Sequence, residues 1–358
     1  MSKKLQTTLT TSLTLLEQFQ GAMSSPIGDV TSAELSGKDA LPLLSASATT
    51  LKSQATKLSL VAITSPFTPS AVTTVLSAVN ESVLPSLITA ALLVTPADHT
   101  KAFQTEVNVL VQTTLKETAA LLQDVQIIAK KNEAQKQAGD LSQSEKDAVT
   151  VAAGRLWESC DALIDIATKG VVGFVVRRVE EWRDLVRDAV QEIEEWDPDE
   201  EGDEFFDELL SDDGKAGDDS EEDEEDEDTA AVHAQKKSAL RILKPVLQIY
   251  PAIIANRLKR TSNASAAIGK LEFLMKELQQ IPGHVDEIAG ALYEANLEGS
   301  VQYLRKTKDC AVKAVDLVTL SWDVTGSAGA QQDKEDRFTA WSRTWSKVMD
   351  EVSRSVSD

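Results

Sequence analysis

Apolar residues along this chain recur at alternating spacings of four and three, and few stretches alternate with period two. The strongest such run is Val175, Val179, Trp182, Val186, Ala189, Ile193 and Trp196. That spacing keeps all seven on one face of an α-helix, as in a bundle seam. The other face carries Arg177, Arg178, Glu181, Arg183, Asp184, Arg187 and Asp188. Arg177 and Glu181 are one turn apart, as are Asp184 and Arg187, and such pairs contribute about 0.2–0.5 kcal/mol each. Glu194 and Glu195 sit at the C-terminal end, where the helix dipole disfavours negative charge. Pro198 cannot continue the hydrogen-bond ladder, so the helix is expected to stop near Trp196 and to fray there.

The same periodicity predicts a series of helices before this one. The first covers 1–21, with Leu5, Leu9, Leu13, Leu16 and Phe19 near one face. The second runs from Asp39 to about Ile63 through Leu44, Leu51, Ala55, Leu58 and Ala62. A third spans about 70–94, with Ser70 as candidate cap and Pro85 expected to kink or divide it. Thr95-Pro96-Ala97-Asp98 restarts the chain into a long helix near 98–132, lined by Phe103, Val107, Leu110, Leu121, Val125 and Ile128. After a polar loop at 131–143, Ser144 opens a fifth helix through Val151, Leu156, Trp157, Cys160 and Leu163. Gly170 and Gly173 bend or break its junction with the Trp182 helix. Further on, helices are expected at 234–260, with Pro245 and Pro251 starting, kinking or dividing it, and around Leu271–Leu278. A break at Ile281-Pro282-Gly283 precedes three more, through Val285–Leu292, Leu297–Trp322 and Phe338–Val352. Ser and Thr residues on these helices belong on solvated faces or bond back to the preceding turn.

Charge divides the chain. From Asp197 to Asp228 there are 20 Asp and Glu residues and one Lys, so this stretch holds 20 − 1 = 19 of the net 22 negative charges. Like charges this dense repel and bury too little apolar area to offset ordering entropy. The expectation is therefore an all-α chain of two antiparallel helical bundles, 1–196 and 233–358, joined by a disordered acidic linker, 197–232. Inside the acid lie Phe205, Phe206, Leu209 and Leu210 at one-turn spacing, which suits a short amphipathic helix on a partner. Ser220 precedes Glu221-Glu222-Asp223, an acid-directed phosphorylation context, and Ser211 is a weaker one. Phosphate there adds charge to charge.

No catalytic constellation accompanies this pattern. His99, His233 and His284 are scattered, none with a second His four residues away as a zinc helix requires. His284 and Glu287 read as a surface pair. Two cysteines, Cys160 and Cys310, cannot build a Cys-rich zinc site and are expected as buried reduced thiols. Phosphate-loop, dinucleotide and nucleophile-elbow motifs are absent. Cofactor and metal are both expected to be none. The basic run Arg257-Leu258-Lys259-Arg260 is too short to argue direct nucleic-acid binding. Thr and Ser interrupt the first twenty residues, which therefore do not read as a signal peptide, and no uninterrupted apolar run approaches the ~20 residues of a membrane span.

Three segments together carry a resemblance. Leu156-Trp157-Glu158-Ser159-Cys160 looks like an aromatic-x-x-Cys turn. The charged helix ending Glu192-Ile193-Glu194-Glu195-Trp196-Asp197-Pro198 then enters an acidic, Ser-containing insertion. Val285-Asp286-Glu287-Ile288-Ala289, followed by Leu292-Tyr293, looks like a V-D-D-L-A…Y helix. In this order the segments resemble the cyclin-D-binding protein family, also called GCIP-like, whose members are described as helix-loop-helix proteins without a DNA-contacting basic region. Trp196 stands where a smaller residue is expected. No sustained leucine zipper is evident, so zipper-mediated dimerisation is not carried over.

The resemblance implies a non-enzymatic protein-binding regulator of cell-cycle progression and transcription, in cytoplasm and nucleus. Its partners would be cyclin-type or helix-loop-helix transcription regulators, with no membrane contact. Trp182 and the Phe205, Phe206, Leu209 and Leu210 motif are the candidate partner-binding residues. Two other classes fit the residues: a vinculin- or talin-like helical scaffold, whose helices are similarly amphipathic, and an acidic chaperone for basic proteins such as histones, acting through 197–228.

Overall fold

The computed structural model describes residues 3–24, 39–134, 141–199, 222–261, 264–319 and 336–354. They are all-helical, with no strand among them. The chain divides into two compact units, Met1–Phe174 and Val175–Asp358. This division falls earlier than the boundary at Trp196 expected from charge.

In the first unit, α1 (Lys3–Ser24), α2 (Ala40–Ile63), α3 (Pro69–Ala78), α4 (Leu84–Leu92), the short α5 (Pro96–His99), α6 (Lys101–Ala134) and the first arm of α7 (Gln143–Glu195) follow one another. α1 packs on α3 and α6, and α2 on α3, α4 and α6. The core stripe of α1 is Leu5, Leu9, Ser12, Leu16 and Met23. Leu13 and Phe19, expected in it, are only half-buried. Ser12 reaches zero exposure because its hydroxyl donates to the Thr8 carbonyl. Thr114 and Thr118 are buried by the same back-bonding, which satisfies these three hydroxyls.

The helix breaks have local causes. Thr68, not Ser70, is the residue before α3; its extended backbone leads into Pro69 at the first helical position, where a missing N–H costs nothing. Pro85 is accommodated by a π-helical turn, Val79–Val83, in which the Leu84 N–H donates to the Val79 carbonyl five residues back. The longer step relieves the clash and missing donor that proline imposes on an α-helix. The helix expected at 98–132 is split by Thr100 at φ 70°, whose hydroxyl accepts from the Phe103 N–H to start α6. A capping box starts α7: Ser142 Oγ accepts from the Glu145 N–H, and the Glu145 carboxylate accepts from the Ser142 N–H. Lys131 and Ser142 hold the Glu145 carboxyl at about 2. Gly170, at φ 64° and ψ −170°, breaks α7 into two arms, a conformation open essentially to glycine alone. Gly173 keeps helical geometry.

The second unit contains the second arm of α7, then α8 (Glu222–Leu247), α9 (Ile249–Asn256), a 3₁₀ turn (Leu258–Arg260), α10 (Ala264–Leu278), α11 (Gln280–Tyr293), α12 (Leu297–Thr319) and α13 (Arg337–Arg354). α12 is central, packing against α8, α10, α11 and α13. The expected linker 197–232 is helical from Glu222, where α8 starts. Residues 200–221 lie outside the described part. α8 runs through Pro245, and the division from α9 comes at Gln248. The expected break at Ile281-Pro282-Gly283 lies instead at Gln279. Pro251 and Pro282 each occupy the third position of a helix, where the N–H has no intrahelical acceptor anyway.

Arg257 anchors this unit. It is only 5% exposed, its guanidinium donates to the Val318 carbonyl at 2.5 Å and the Thr319 carbonyl at 2.8 Å, and it pairs with Asp336 at 2.8 Å. It also lies over the Phe338 ring. Burial would raise the Asp336 carboxyl, but Arg257 and the Thr339 amide and hydroxyl outweigh it and hold it at about 2. Both cysteines are buried thiols, as expected; burial pushes Cys160 up to about 12 and Cys310 to about 11. Two stretches, Pro69–Leu92 and Thr229–Arg260, are long and apolar enough by composition to span a bilayer. Their apolar faces line the cores of their units.

Candidate functional site

The Trp182 arm of α7 buries Val175, Val179, Val186, Val190 and Ile193. Trp182, Ala189 and Trp196 are half-buried at the edge of the same stripe. The outer face carries the expected ion pairs, Arg177–Glu181 at 3.7 Å and Arg187–Asp184 at 3.1 Å. Both are solvent-exposed and so contribute little. Leu185 is 57% exposed among these charges.

The end of the arm is held, not frayed. The Trp196 N–H donates to the Glu192 carbonyl at 2.9 Å. The Lys236 ammonium of α8 donates to the Trp196 carbonyl and lies over its indole. Lys244 pairs with Glu194 at 2.7 Å. These cations satisfy the C-terminal carbonyl and offset the carboxylates that the dipole opposes. From α11, the Tyr293 hydroxyl donates to Glu192 at 3.0 Å and its ring meets Trp196 edge-on at 4.8 Å. Partial burial, then the Glu192 contact, pushes the Tyr293 phenol up to about 12, so it stays a donor.

Just beyond, His233 bonds to Asp199 at 3.0 Å, and the Asp199 N–H donates to Asp197. Asp197, Asp199 and His233 are the one group of three potential metal donors among the described residues, and all are exposed. Their internal hydrogen bonds account for the arrangement without an ion. His284 is half-buried against Tyr303, not a free surface partner of Glu287; burial, then Lys306, lowers its pKa.

α8 presents its own pattern to this corner. His233, Lys236, Lys237, Leu240, Arg241 and Lys244 line an open groove of about 630 Å³. The sequence reading of the helix at 234–260 did not single out these basic positions. The signal was available, since the spacing 233, 236, 237, 240, 241, 244 marks one helix face. Of the sequence-derived site residues, Trp182 is thus placed at a half-exposed edge. Phe205, Phe206, Leu209, Leu210, Ser211 and Ser220 lie outside the described residues.

Residues 43–199 match a family model described as Grap2 and cyclin-D-interacting, N-terminal. Over this range the chain is similar to that family. A comparison with curated proteins finds no match. The GCIP-like range contains Trp157, Cys160 and the whole Trp182 arm, and it ends at Asp199, where the acidic insertion begins. The Val285–Tyr293 motif lies beyond it, yet its Tyr293 packs on Trp196 inside it.

Proposed function

We propose that this protein is a non-enzymatic regulator of cell-cycle progression and transcription that works by binding protein partners of the D-type cyclin or helix-loop-helix class, in cytoplasm and nucleus. The observation that carries this reading is the GCIP-like match over residues 43–199. The named activity of that family is interaction. The residues of the second unit's Trp182 arm agree with a contact role: Trp182 is half-buried, Leu185 is exposed, and charged pairs surround both. An aromatic anchor ringed by polar groups is the usual composition of a binding hot spot. The reading includes no catalysis, cofactor, metal, membrane or direct nucleic-acid contact.

The test is affinity capture of the tagged full chain from its own cells, followed by mass spectrometry, beside Trp182→Ala and Leu185→Ser variants. Cyclins or transcription regulators are expected in the eluate, and both variants are expected to deplete them. An eluate of cytoskeletal proteins, or one of histones that empties as salt rises, would replace this reading with the scaffold or the chaperone one.

A further inference from the structure

The basic face of α8 is not consumed by the fold. Lys236 and Lys244 are engaged by Trp196 and Glu194, and His233 by Asp199. Lys237 and Arg241 stand exposed on the same groove without a carboxylate partner among the described residues. Leu240 lies half-buried between them. From His233 to Lys244 the face is about 17 Å long, or three helical turns. A cationic stripe with an apolar centre, in a chain of net charge −22, is a local reversal of the overall field.

We propose that this α8 groove docks an acidic amphipathic helix of a protein partner. Two observations select that occupant. The stripe already accepts carboxylates, since Glu194 and Asp199 sit on two of its members at 2.7 and 3.0 Å. Leu240 offers an apolar contact that a helix with leucines at three- and four-residue spacing fills, while its carboxylates reach Lys237 and Arg241. This inference rests on the protein-binding reading above and names the chemistry of one partner surface.

The test is fluorescence anisotropy of purified full chain with three labelled probes: a synthetic helix of Glu and Leu with amphipathic spacing, a scrambled peptide of the same composition, and a single-stranded DNA oligonucleotide. The amphipathic probe should bind about tenfold more tightly than the scrambled one, and K237E/R241E should weaken it about tenfold or more. Both positions are exposed, so the variant should keep its helical circular dichroism. Affinity should fall as salt rises. Equal binding of the scrambled peptide, tighter binding of the oligonucleotide, or an unchanged affinity in K237E/R241E overturns the proposal. So does binding that emerges only after removal of residues 200–221, which would make the chain's own insertion the occupant. No cyclin is present in this assay, so its failure leaves the cell-cycle reading standing, and failed cyclin capture leaves the groove measurement intact.

Discussion

The Tyr293 hydroxyl donates to the Glu192 carboxylate at 3.0 Å, although the two residues are 101 positions apart. The same phenol ring meets Trp196 edge-on. Two segments that resemble the cyclin-D-binding family, the E-I-E-E-W-D-P helix end and the V-D-E-I-A…L-Y helix, are therefore one contact in the fold. Trp196 supplies the ring on which Tyr293 packs. The acidic stretch begins at Asp197, the residue after Trp196.

Removing that contact should loosen the second unit. Tyr293→Phe keeps the ring and loses one half-exposed hydrogen bond, at a cost of about 0.5–1.5 kcal/mol. Trp196→Ala also removes the aromatic contact and the Lys236 stack, and should cost more. Urea unfolding of the two single variants and the double variant measures the coupling. Strict additivity of the two would show that the Tyr293 hydroxyl and the Trp196 ring act independently.

Gly170 should resist replacement for a conformational reason. A Cβ there would meet only Leu41 Cδ1 at 3.8 Å, an ordinary contact. The cost of Gly170→Ala comes from φ 64° with ψ −170°, and is about 1–3 kcal/mol. Gly173→Ala is the internal comparison: its backbone is helical, but a Cβ would lie 2.5 Å from Lys169 Cβ, so steric crowding should destabilise it instead. Thermal unfolding of both, with a helix-length readout from amide exchange across 165–176, separates a straightened α7 from a strained one.

Arg257 should be among the costliest surface-remote substitutions in the second unit. Arg257→Met strands the Val318 carbonyl, leaves the Thr319 carbonyl only its bond from the Thr339 hydroxyl, and leaves the Asp336 carboxylate without its cation, at about 3–5 kcal/mol. Arg257→Lys should recover little, since one ammonium cannot reproduce the planar fork. The pH dependence follows from Asp336, whose folded value of about 2 is below its ordinary value. Its contribution is full above the unfolded carboxylate range and is lost as pH falls toward 2. Asp336→Asn should flatten that acid limb in equilibrium unfolding; an unchanged limb would mean other carboxylates dominate it.

His99 should make the first unit acid-sensitive at a higher pH. It is buried, its Nδ1 has no hydrogen-bond partner, and its ring stacks on Phe103. Burial lowers its pKa against the opposing pull of Asp98 and the Thr95 backbone. The unfolded chain therefore binds a proton first, and stability present above the ordinary histidine value is lost as pH falls below it. His99→Gln should reduce the slope of stability between about pH 7 and 5. His284, also lowered, is tested by its own substitution, and an equal slope in both variants would leave neither responsible.

Much of the fold was legible because its signal is local. The amphipathic stripes of α2, α6, α8 and α12 appear at helical spacing, and burying one stripe per helix is enough to make bundles. The errors concentrate where a neighbouring helix chooses the register. Ser12, Ser300, Thr307 and Ser342 occupy buried positions, while Leu13 and Phe19 are only half-buried and Val348 is 40% exposed. Close helix approach favours a small side chain at the contact; the hydroxyls of Ser12, Thr307 and Ser342 bond back to the preceding turn and that of Ser300 accepts from Gln235, which removes their polar cost, so hydrophobicity alone misplaces these seams.

The sequence by itself determined that this chain is helical, that its negative charge is concentrated in one insertion, and that its motifs resemble an interaction family. Each of these follows from residue types at short range. Only the tertiary structure decided that Gly170 breaks α7, that the Trp182 arm is counted with the second unit, and that Lys236, Lys244 and Tyr293 hold its acidic end. A single glycine signals a break only through the φ it adopts. A lysine 40 residues from Trp196 becomes a helix cap only when packing places it there, because the energy of that contact depends on distance in space and not along the chain.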